Sequence, residues 1–194
     1  MAAKSNQVRI IAGRWRGRKL EFPDSQGLRP TSDRVRETLF NWLAPVLPGA
    51  VCLDLFAGSG ALGFEAASRG AARVVMVEQH GDVFRHLQAQ SDRLSAQAVE
   101  LVKANANDYL ASIDTAFDIV FLDPPFGDAG LRQSVIQRIN QRRLVKSGGL
   151  VYLETRKGDT CSELPENWRI YRHKQAGQVD YQLLSCTPDS RQDW

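Results

Sequence analysis

From residue 51 onward, apolar strand-like segments alternate with helix-like segments, and this alternation constrains the fold more than any other feature of the chain. Alternating strands and helices form parallel sheets, because each helix carries the chain back to where the next parallel strand begins. The predicted helices are residues 61–69, 82–94, 107–113 and 131–143. The predicted strands are residues 51–56, 73–77, 99–102, 117–122, 149–154, 168–174 and 179–185. The sequence therefore predicts an α/β, doubly wound, mostly parallel sheet.

The last two predicted strands have no helix between them. They are separated only by Gln175-Ala176-Gly177-Gln178, a short turn-forming segment. Two strands joined by such a turn pair antiparallel. We expect an antiparallel hairpin to close the sheet at its carboxyl-terminal side.

A glycine-rich turn follows the first strand of this region. Gly58, Gly60 and Gly63 match the spacing G-x-G-x-x-G, and Glu78 lies at the end of the next strand. This arrangement is typical of nucleotide-cofactor sites, with the acid on a ribose. NAD is one candidate cofactor. Asp54 argues against it, since a carboxylate at the strand end would repel a pyrophosphate but suit a cationic amino-acid group.

The third strand is followed by Asn105-Ala106-Asn107-Asp108. Ligands in open α/β sheets bind at the carboxyl ends of the strands, so this loop is expected beside the cofactor's adenine. Asn105 is the preferred residue for the base edge, and a helix cap is assigned to Asn107 or Asp108.

The fourth strand ends in Asp123-Pro124-Pro125-Phe126. Proline lacks a backbone N–H and has a fixed φ, so the pair ends the strand and leaves carbonyl oxygens without neighbouring donors. An acid precedes these acceptors and an aromatic ring follows them. The cluster suits a planar substrate that carries an amino group, such as a nucleobase. The alternative is an ordinary proline turn.

The positive charge is concentrated at the amino terminus. Residues 1–40 hold nine Lys/Arg and four Asp/Glu, whereas the rest holds sixteen and eighteen. Two short strands joined by a glycine-containing turn are predicted within residues 9–20, where Trp15 lies among the cations. The candidate RNA-binding residues are Arg9, Arg14, Arg16, Arg18 and Lys19. Cations with an interleaved aromatic suit phosphate contact and base stacking. The alternative is a solvated hairpin whose Trp15 packs on the domain.

A helix is predicted after Pro30. Thr31, Ser32 and Asp33 are candidate N-caps, and the buried face is formed by Val35, Leu39, Trp42 and Leu43. Arg34 and Arg36 fall on other faces. They are either solvated or directed at ligand or RNA, and the sequence does not decide between these.

Composition excludes several classes of protein. The three cysteines, Cys52, Cys161 and Cys186, have no C-x-x-C spacing, which argues against a zinc site or a disulfide framework. No metal is expected. No apolar stretch could cross a membrane, and residues 1–7 lack a signal peptide's apolar core, so a cytoplasmic protein is expected.

Three regions are predicted along the chain. Residues 1–48 form a basic extension of hairpin and helix that contacts RNA. Residues 49–187 form the main domain, and residues 188–194 form a tail.

Four segments together resemble the RsmD family, the bacterial 16S ribosomal RNA guanine-N2 methyltransferases. They are R-I-I-A-G-R-W-R-G-R-K-L, L-R-P-T-S-D-R-V-R-E-T-L-F-N-W-L, D-L-F-A-G-S-G-A-L-G-F-E-A and D-P-P-F, and the resemblance extends from Val8 to Ser185. It implies a Rossmann-like class I fold, S-adenosylmethionine as cofactor, and methylation of one guanine amine in an assembled or assembling 30S subunit. Asp123 and the Pro124 carbonyl would accept the amine hydrogens, and Phe126 would stack on the base.

Three alternatives remain. An N6-adenine DNA methyltransferase would use the same amine chemistry, but such enzymes usually carry a sizeable target-recognition domain. A non-catalytic RNA-binding assembly factor would not need an intact D-P-P-F segment. An NAD-dependent oxidoreductase is the third.

Overall fold

The parallel sheet predicted from the alternation forms the centre of the protein. The computed structural model describes residues 6–22, 31–125, 128–159 and 163–187. The strands are β1 (Asn6–Arg9), β2 (Lys19–Phe22), β3 (Val51–Asp54), β4 (Arg73–Glu78), β5 (Val99–Lys103), β6 (Phe117–Leu122), β7 (Val145–Arg156), β8 (Trp168–Ala176) and β9 (Val179–Cys186). The helices are α1 (Asp33–Leu43), α2 (Ala61–Ser68), α3 (Gly81–Leu94), α4 (Ala106–Ser112) and α5 (Ala129–Gln141).

The main sheet contains seven strands in the order β5-β4-β3-β6-β7-β9-β8. Its first five strands are parallel, and β9 pairs antiparallel with both β7 and β8, as predicted. The chain moves outward from β3 through β4 to β5 and then returns to the other side of β3 as β6. This reversal leaves a crevice between the carboxyl ends of β3 and β6, where open α/β sheets bind ligands.

Every predicted strand of the main sheet and every predicted helix that connects its strands is present, with small shifts in the first and last residues of each element. The largest difference is β7, which begins at Val145 rather than at residue 149. Its first residues pair with the start of β6, where Lys146 Nζ bonds Asp118 at 2.9 Å across a register irregularity. A tertiary contact therefore extends the strand beyond its apolar segment.

The amino-terminal hairpin differs from its prediction. The strands lie mostly outside residues 9–20, since β1 ends at Arg9 and β2 begins at Lys19, and residues 10–18 form the connection. Apolar side chains of this hairpin and of α1 pack in the same buried cluster as α2 and one face of the sheet. A second cluster on the other face contains α4 and α5. The tail at 188–194 lies outside the described residues.

A buried carboxylate attaches the amino-terminal segment to the main sheet. Glu65 of α2 is fully buried and accepts hydrogen bonds from Ile11 N at 2.7 Å and Ala12 N at 3.0 Å. It also pairs with Arg69 Nε at 2.6 Å and with an Arg36 guanidinium nitrogen at 3.6 Å. Arg36 is itself fully buried, and its Nη2 donates to the Arg9 carbonyl at 2.7 Å. Arg36 is therefore neither solvated nor directed at a ligand; it is a structural cation, whereas Arg34 is exposed.

Replacing Glu65 with alanine should destabilise the fold strongly. It would leave the Arg36 guanidinium and two backbone N–H groups without their shared acceptor, and breaking a buried pair costs about 3–5 kcal/mol. Urea denaturation gives the free energy of unfolding. Arg73→Ala is the matched control, because its ion pair with Glu100 is exposed and is expected to contribute about 0–1 kcal/mol. Equal losses for the two variants would contradict the role given to Glu65.

A candidate active site at the carboxyl edge of the sheet

Four acidic residues lie where strands β3, β4, β6 and β7 end or approach their ends. They are Asp54, Glu78, Asp123 and Glu154. Parallel pairing brings these ends to one edge of the sheet, and Asp54 is opposite Phe121, two residues before Asp123. The reversal of strand order therefore joins the predicted cofactor acids to the predicted catalytic acid.

The glycine turn adopts a backbone conformation that favours glycine. Gly58 and Gly60 have positive φ values of 50° and 78°. A Cβ atom on Gly60 would lie 2.6 Å from the ring of Phe64, so only glycine fits there without displacing the helix packing. The tight turn allows the helix to begin directly above the strand end.

Two acids hold this turn through backbone hydrogen bonds. Asp54 Oδ2 accepts from Gly63 N at 2.9 Å, and Glu78 Oε2 accepts from Gly58 N at 3.1 Å. The other Glu78 oxygen accepts from His80 N at 2.8 Å. Carboxylate oxygens have further lone pairs, so both acids can still accept hydrogen bonds from a ligand.

Asp54 is buried without a cation. Its pKa is raised to about 7: burial is the main cause, the backbone bonds from Gly63 and Phe56 oppose the rise, and the charge of Glu78 adds to it. In the part of the chain that the structure describes, no lysine, arginine or histidine forms an ion pair with Asp54. A ligand with a positively charged group would supply the missing counter-charge.

Asn105 has the helix-capping role that the sequence predicts for Asn107 or Asp108. It is the N-cap of α4, and its Oδ1 accepts from Asp108 N at 2.9 Å. The prediction that Asn107 or Asp108 caps the helix is therefore wrong. Asn105 remains exposed at the carboxyl end of β5, so its side chain lies at the same edge as the other candidates.

Three residues from other segments, which the sequence analysis did not assign to the site, form a hydrogen-bonded cluster with Asp123. Thr31 Oγ1 lies 3.3 Å from Asp123 Oδ2 and 3.1 Å from Glu154 Oε2, and Tyr152 Oη donates to Glu154 Oε2 at 2.7 Å. The sequence pattern indicates Thr31 only as a candidate N-cap of α1, and the structure shows that the N-cap is Ser32. Glu154 ends a predicted buried strand, and an acid in that position is the signal that could have identified it.

The prolines end β6 as predicted. Pro124 is buried and Pro125 is exposed, and the Pro125 carbonyl accepts from Asp128 N at 3.4 Å, just before α5. Phe126, the predicted stacking residue, lies outside the described residues.

The turn that carries Arg14, Arg16 and Arg18 is not adjacent to these acids. All five candidate RNA-binding cations are exposed, but Arg14 N donates to the Ser68 carbonyl at 2.9 Å, at the far end of α2. An eight-residue helix is about 12 Å long, so the turn lies at the opposite edge of the sheet from Asp123. Trp15 is buried against Phe64, with ring centroids 6.5 Å apart, which excludes it from stacking on a base.

Two further features are absent from the part of the chain that the structure describes. Among the described residues, no group of three His, Cys, Asp or Glu side chains could hold a metal ion. Within the same ranges, no helix has the length and apolar character needed to cross a membrane.

Replacing Asp54 with asparagine should change how stability depends on pH. The folded protein holds the Asp54 proton up to about pH 7, whereas an unfolded aspartate loses it near about pH 4. The wild-type free energy of unfolding therefore falls as pH rises through this window. Asparagine keeps the acceptor for Gly63 and removes the titration, so Asp54→Asn should gain about 2–3 kcal/mol relative to wild type between pH 5 and pH 8.

Urea denaturation of both proteins at the two pH values measures this gain. Asp118→Asn is the control, because its carboxyl has a lowered pKa owing to Val51 N and Lys146, and it should show no such gain. A pH-independent difference between Asp54→Asn and wild type would refute the raised pKa.

Comparison with known proteins identifies the family. The model described as Conserved hypothetical protein 95 matches residues 8–185. The chain is 49% identical to Ribosomal RNA small subunit methyltransferase D of Escherichia coli strain K12, over 97% of this chain and 95% of that one. It is 45% identical to the protein of the same name from Haemophilus influenzae, over 91% and 93%.

The solved structures agree with the sequence comparison. The structure of yhhF from Escherichia coli has a TM-score of 0.89 and 44% identity, and covers 95% of this chain and 100% of that one. The fold is that of a class I methyltransferase, as predicted. The chain thus belongs to the family of ribosomal RNA small subunit methyltransferase D.

Proposed function

We propose that the protein transfers a methyl group from S-adenosylmethionine to the exocyclic N2 amine of one guanine in 16S ribosomal RNA. The observation that carries the proposal is the position of Asp123. Its carboxyl follows β6 directly, beside the strand that ends in Asp54, and two prolines follow it. An amine acceptor is thus next to the acids that suit the cofactor.

The described residues fit S-adenosylmethionine. Asp54 is a buried carboxylate without a cation, which suits the amino group of the methionine portion, and Glu78 can accept hydrogen bonds from ribose hydroxyls. Gly58 and Gly60 allow close approach of the backbone, and Asn105 lies at the edge where the adenine is expected. When bound, the cofactor supplies an electrophilic methyl group on a sulfonium.

The chain's own residues would activate the amine by accepting its hydrogens. A guanine N2 amine is conjugated with its ring and is a weak nucleophile. Asp123 and the Pro124 carbonyl would each accept one N–H bond, which favours pyramidal geometry at nitrogen and frees its lone pair for attack. Acceptors directed at the positive charge that develops on nitrogen lower the barrier. Phe126 would stack on the base, which must leave its own stack to enter.

The substrate assignment rests on the relatives. Those from Escherichia coli and Haemophilus influenzae are named for the small-subunit ribosomal RNA, and the similarity spans the amino-terminal segment as well as the main sheet. We take the substrate to be that RNA in an assembled or assembling 30S subunit, and the place of reaction to be the cytoplasm.

Product mapping tests the reaction. Purified protein, 30S particles from a strain lacking the enzyme, and labelled S-adenosylmethionine should yield N2-methylguanosine after nuclease digestion and mass spectrometry. Asp123→Ala should reduce turnover by about two to three powers of ten, as loss of one positioned electrostatic group does. Its affinity for S-adenosylhomocysteine, measured by calorimetry, should be unchanged.

The control for this variant is Asp118→Asn, which alters an acid at the other end of the same strand. It should retain wild-type turnover. A product of N6-methyladenosine, or full turnover by Asp123→Ala, would show that the proposal is wrong.

The amino-terminal cations can bind RNA although they lie far from Asp123, because a ribosomal substrate extends well beyond about 12 Å. Replacing Arg14, Arg16 and Arg18 with alanine should reduce the slope of log affinity against log salt by about 2, since each phosphate contact contributes roughly 0.7–0.9. A salt titration of 30S binding measures it.

The matched control removes equal charge from cations that already have acidic partners. Arg73, Arg142 and Lys146 are exposed and pair with Glu100, Asp114 and Asp118, respectively. Their triple alanine variant should leave the slope unchanged. Equal slopes for wild type and the Arg14, Arg16 and Arg18 variant would locate RNA recognition elsewhere on the protein.

A further inference from the structure

We propose that Glu154 accepts the proton that the methylated amine releases, and that Asp123 and Thr31 conduct this proton to it. The inference rests on the proposed amine methylation. It assigns a role to a buried acid on β7 that the mechanism above does not use.

The geometry is a continuous chain of hydrogen-bonding oxygens. Thr31 Oγ1 is 3.3 Å from Asp123 Oδ2 and 3.1 Å from Glu154 Oε2, so a single hydroxyl joins the two carboxyl groups. A hydroxyl has one proton, and it can therefore donate to one carboxyl only while it accepts from the other. The arrangement is complete only if one of the two carboxyls carries a proton.

Burial and the absence of counter-charge favour a proton on this pair of carboxyl groups. Thr31 is 6% exposed, Glu154 4% and Tyr152 0%, and no cation among the described residues forms an ion pair with either carboxyl. Burial raises the pKa of Asp123 well above its usual value, and the charges of Glu154 and Asp54 add to this. Burial also raises the pKa of Glu154, which the bonds from Tyr152 and Thr31 oppose.

The hydrogen bonds indicate where the proton resides. Glu154 Oε2 is within reach of two hydroxyl donors, Thr31 and Tyr152, whereas Asp123 Oδ2 is within reach of Thr31 alone. Burial and the nearby carboxyls raise the pKa of Tyr152 well above its usual value, so the phenol remains a donor. Tyr181 of β9 is paired opposite Glu154. In the resting state Glu154 is therefore ionised and Asp123 carries the shared proton on Oδ2.

The proton transfer balances from this state. The N–C bond would form as the methyl carbon leaves the sulfonium sulfur, which keeps the C–S bonding pair and becomes a neutral thioether. The positive charge then on nitrogen is relieved when one N–H proton passes to Asp123 Oδ1. The Oδ2 proton of Asp123 then moves to Thr31 Oγ1, and the hydroxyl proton of Thr31 moves to Glu154 Oε2. Asp123 and Thr31 end with the number of protons with which they began, and Glu154 ends neutral. The reverse path returns the proton to solvent after the product leaves.

Three variants test the relay in the full-length protein on 30S particles. Glu154→Gln keeps an acceptor for Tyr152 but cannot take a proton, and Thr31→Val keeps the shape of threonine but lacks the hydroxyl. Each should lower kcat at pH 7.5 at least tenfold, with KM for both substrates changed less than twofold. Thr31→Ser restores the hydroxyl and should recover most of the turnover.

The pH profile separates the relay from a packing role. In wild type, kcat should fall at low pH as the carboxyl pair takes up a second proton. Because Glu154 takes up that second proton and glutamine cannot, Glu154→Gln should lose the low-pH inflection. Wild-type kcat in both Glu154→Gln and Thr31→Val would overturn the relay. An inflection retained in Glu154→Gln would overturn it too, as would a loss in Thr31→Ser equal to that in Thr31→Val.

A measurement without RNA keeps this test independent of the proposed function. Infrared spectra at pH 7 report protonated carboxyl groups through their carbonyl band. The spectrum of the wild type minus that of either Glu154→Gln or Asp123→Asn should show one such band, which both variants lack. Persistence of that band in either variant would show that the proton is not shared. If the wild type shows the band but methylates no guanine amine, the proposed function fails while the shared proton stands.

Discussion

The concentration of carboxyl groups at one edge of the sheet is the constraint on which the site depends. Asp54, Asp123 and Glu154 are brought together by the strand reversal, and none has a cationic partner among the described residues. Buried carboxyls without counter-charge destabilise the folded state at neutral pH, and their raised pKa values express that cost. Such a cost is retained where it serves binding or chemistry. Under the proposed function, one of these positions receives a cation and another receives an amine.

The opposite edge of the protein is organised by an acid that does have partners. Glu65 collects two backbone N–H groups and two arginines, so its charge is compensated and the amino-terminal hairpin is held against α2. The basic segment is therefore part of the main core rather than a separate arm. Its exposed cations lie about one helix length from Asp123. RNA that reached both places would have to extend across one face of the protein.

Thr31 connects these two regions. It lies two residues before α1, whose buried Arg36 is part of the Glu65 network, and its hydroxyl lies between the carboxyl groups of Asp123 and Glu154. Movement of the amino-terminal segment would therefore change the distances from the Thr31 hydroxyl to Asp123 and to Glu154. The proposed proton relay and the attachment of the hairpin therefore involve the same helix and the residues just before it.

Local pattern in the sequence was sufficient for the seven strands of the main sheet, the antiparallel hairpin, the glycine turn and the acids at the strand ends, because apolar period and turn chemistry are short-range properties. Long-range contacts decided the rest. Arg36 is charged and on a side face of its helix, yet Glu65, distant in sequence, makes it a core residue. Trp15 lies among cations but packs on Phe64. Thr31 and Glu154 are 123 residues apart, and only the folded sheet brings both to Asp123.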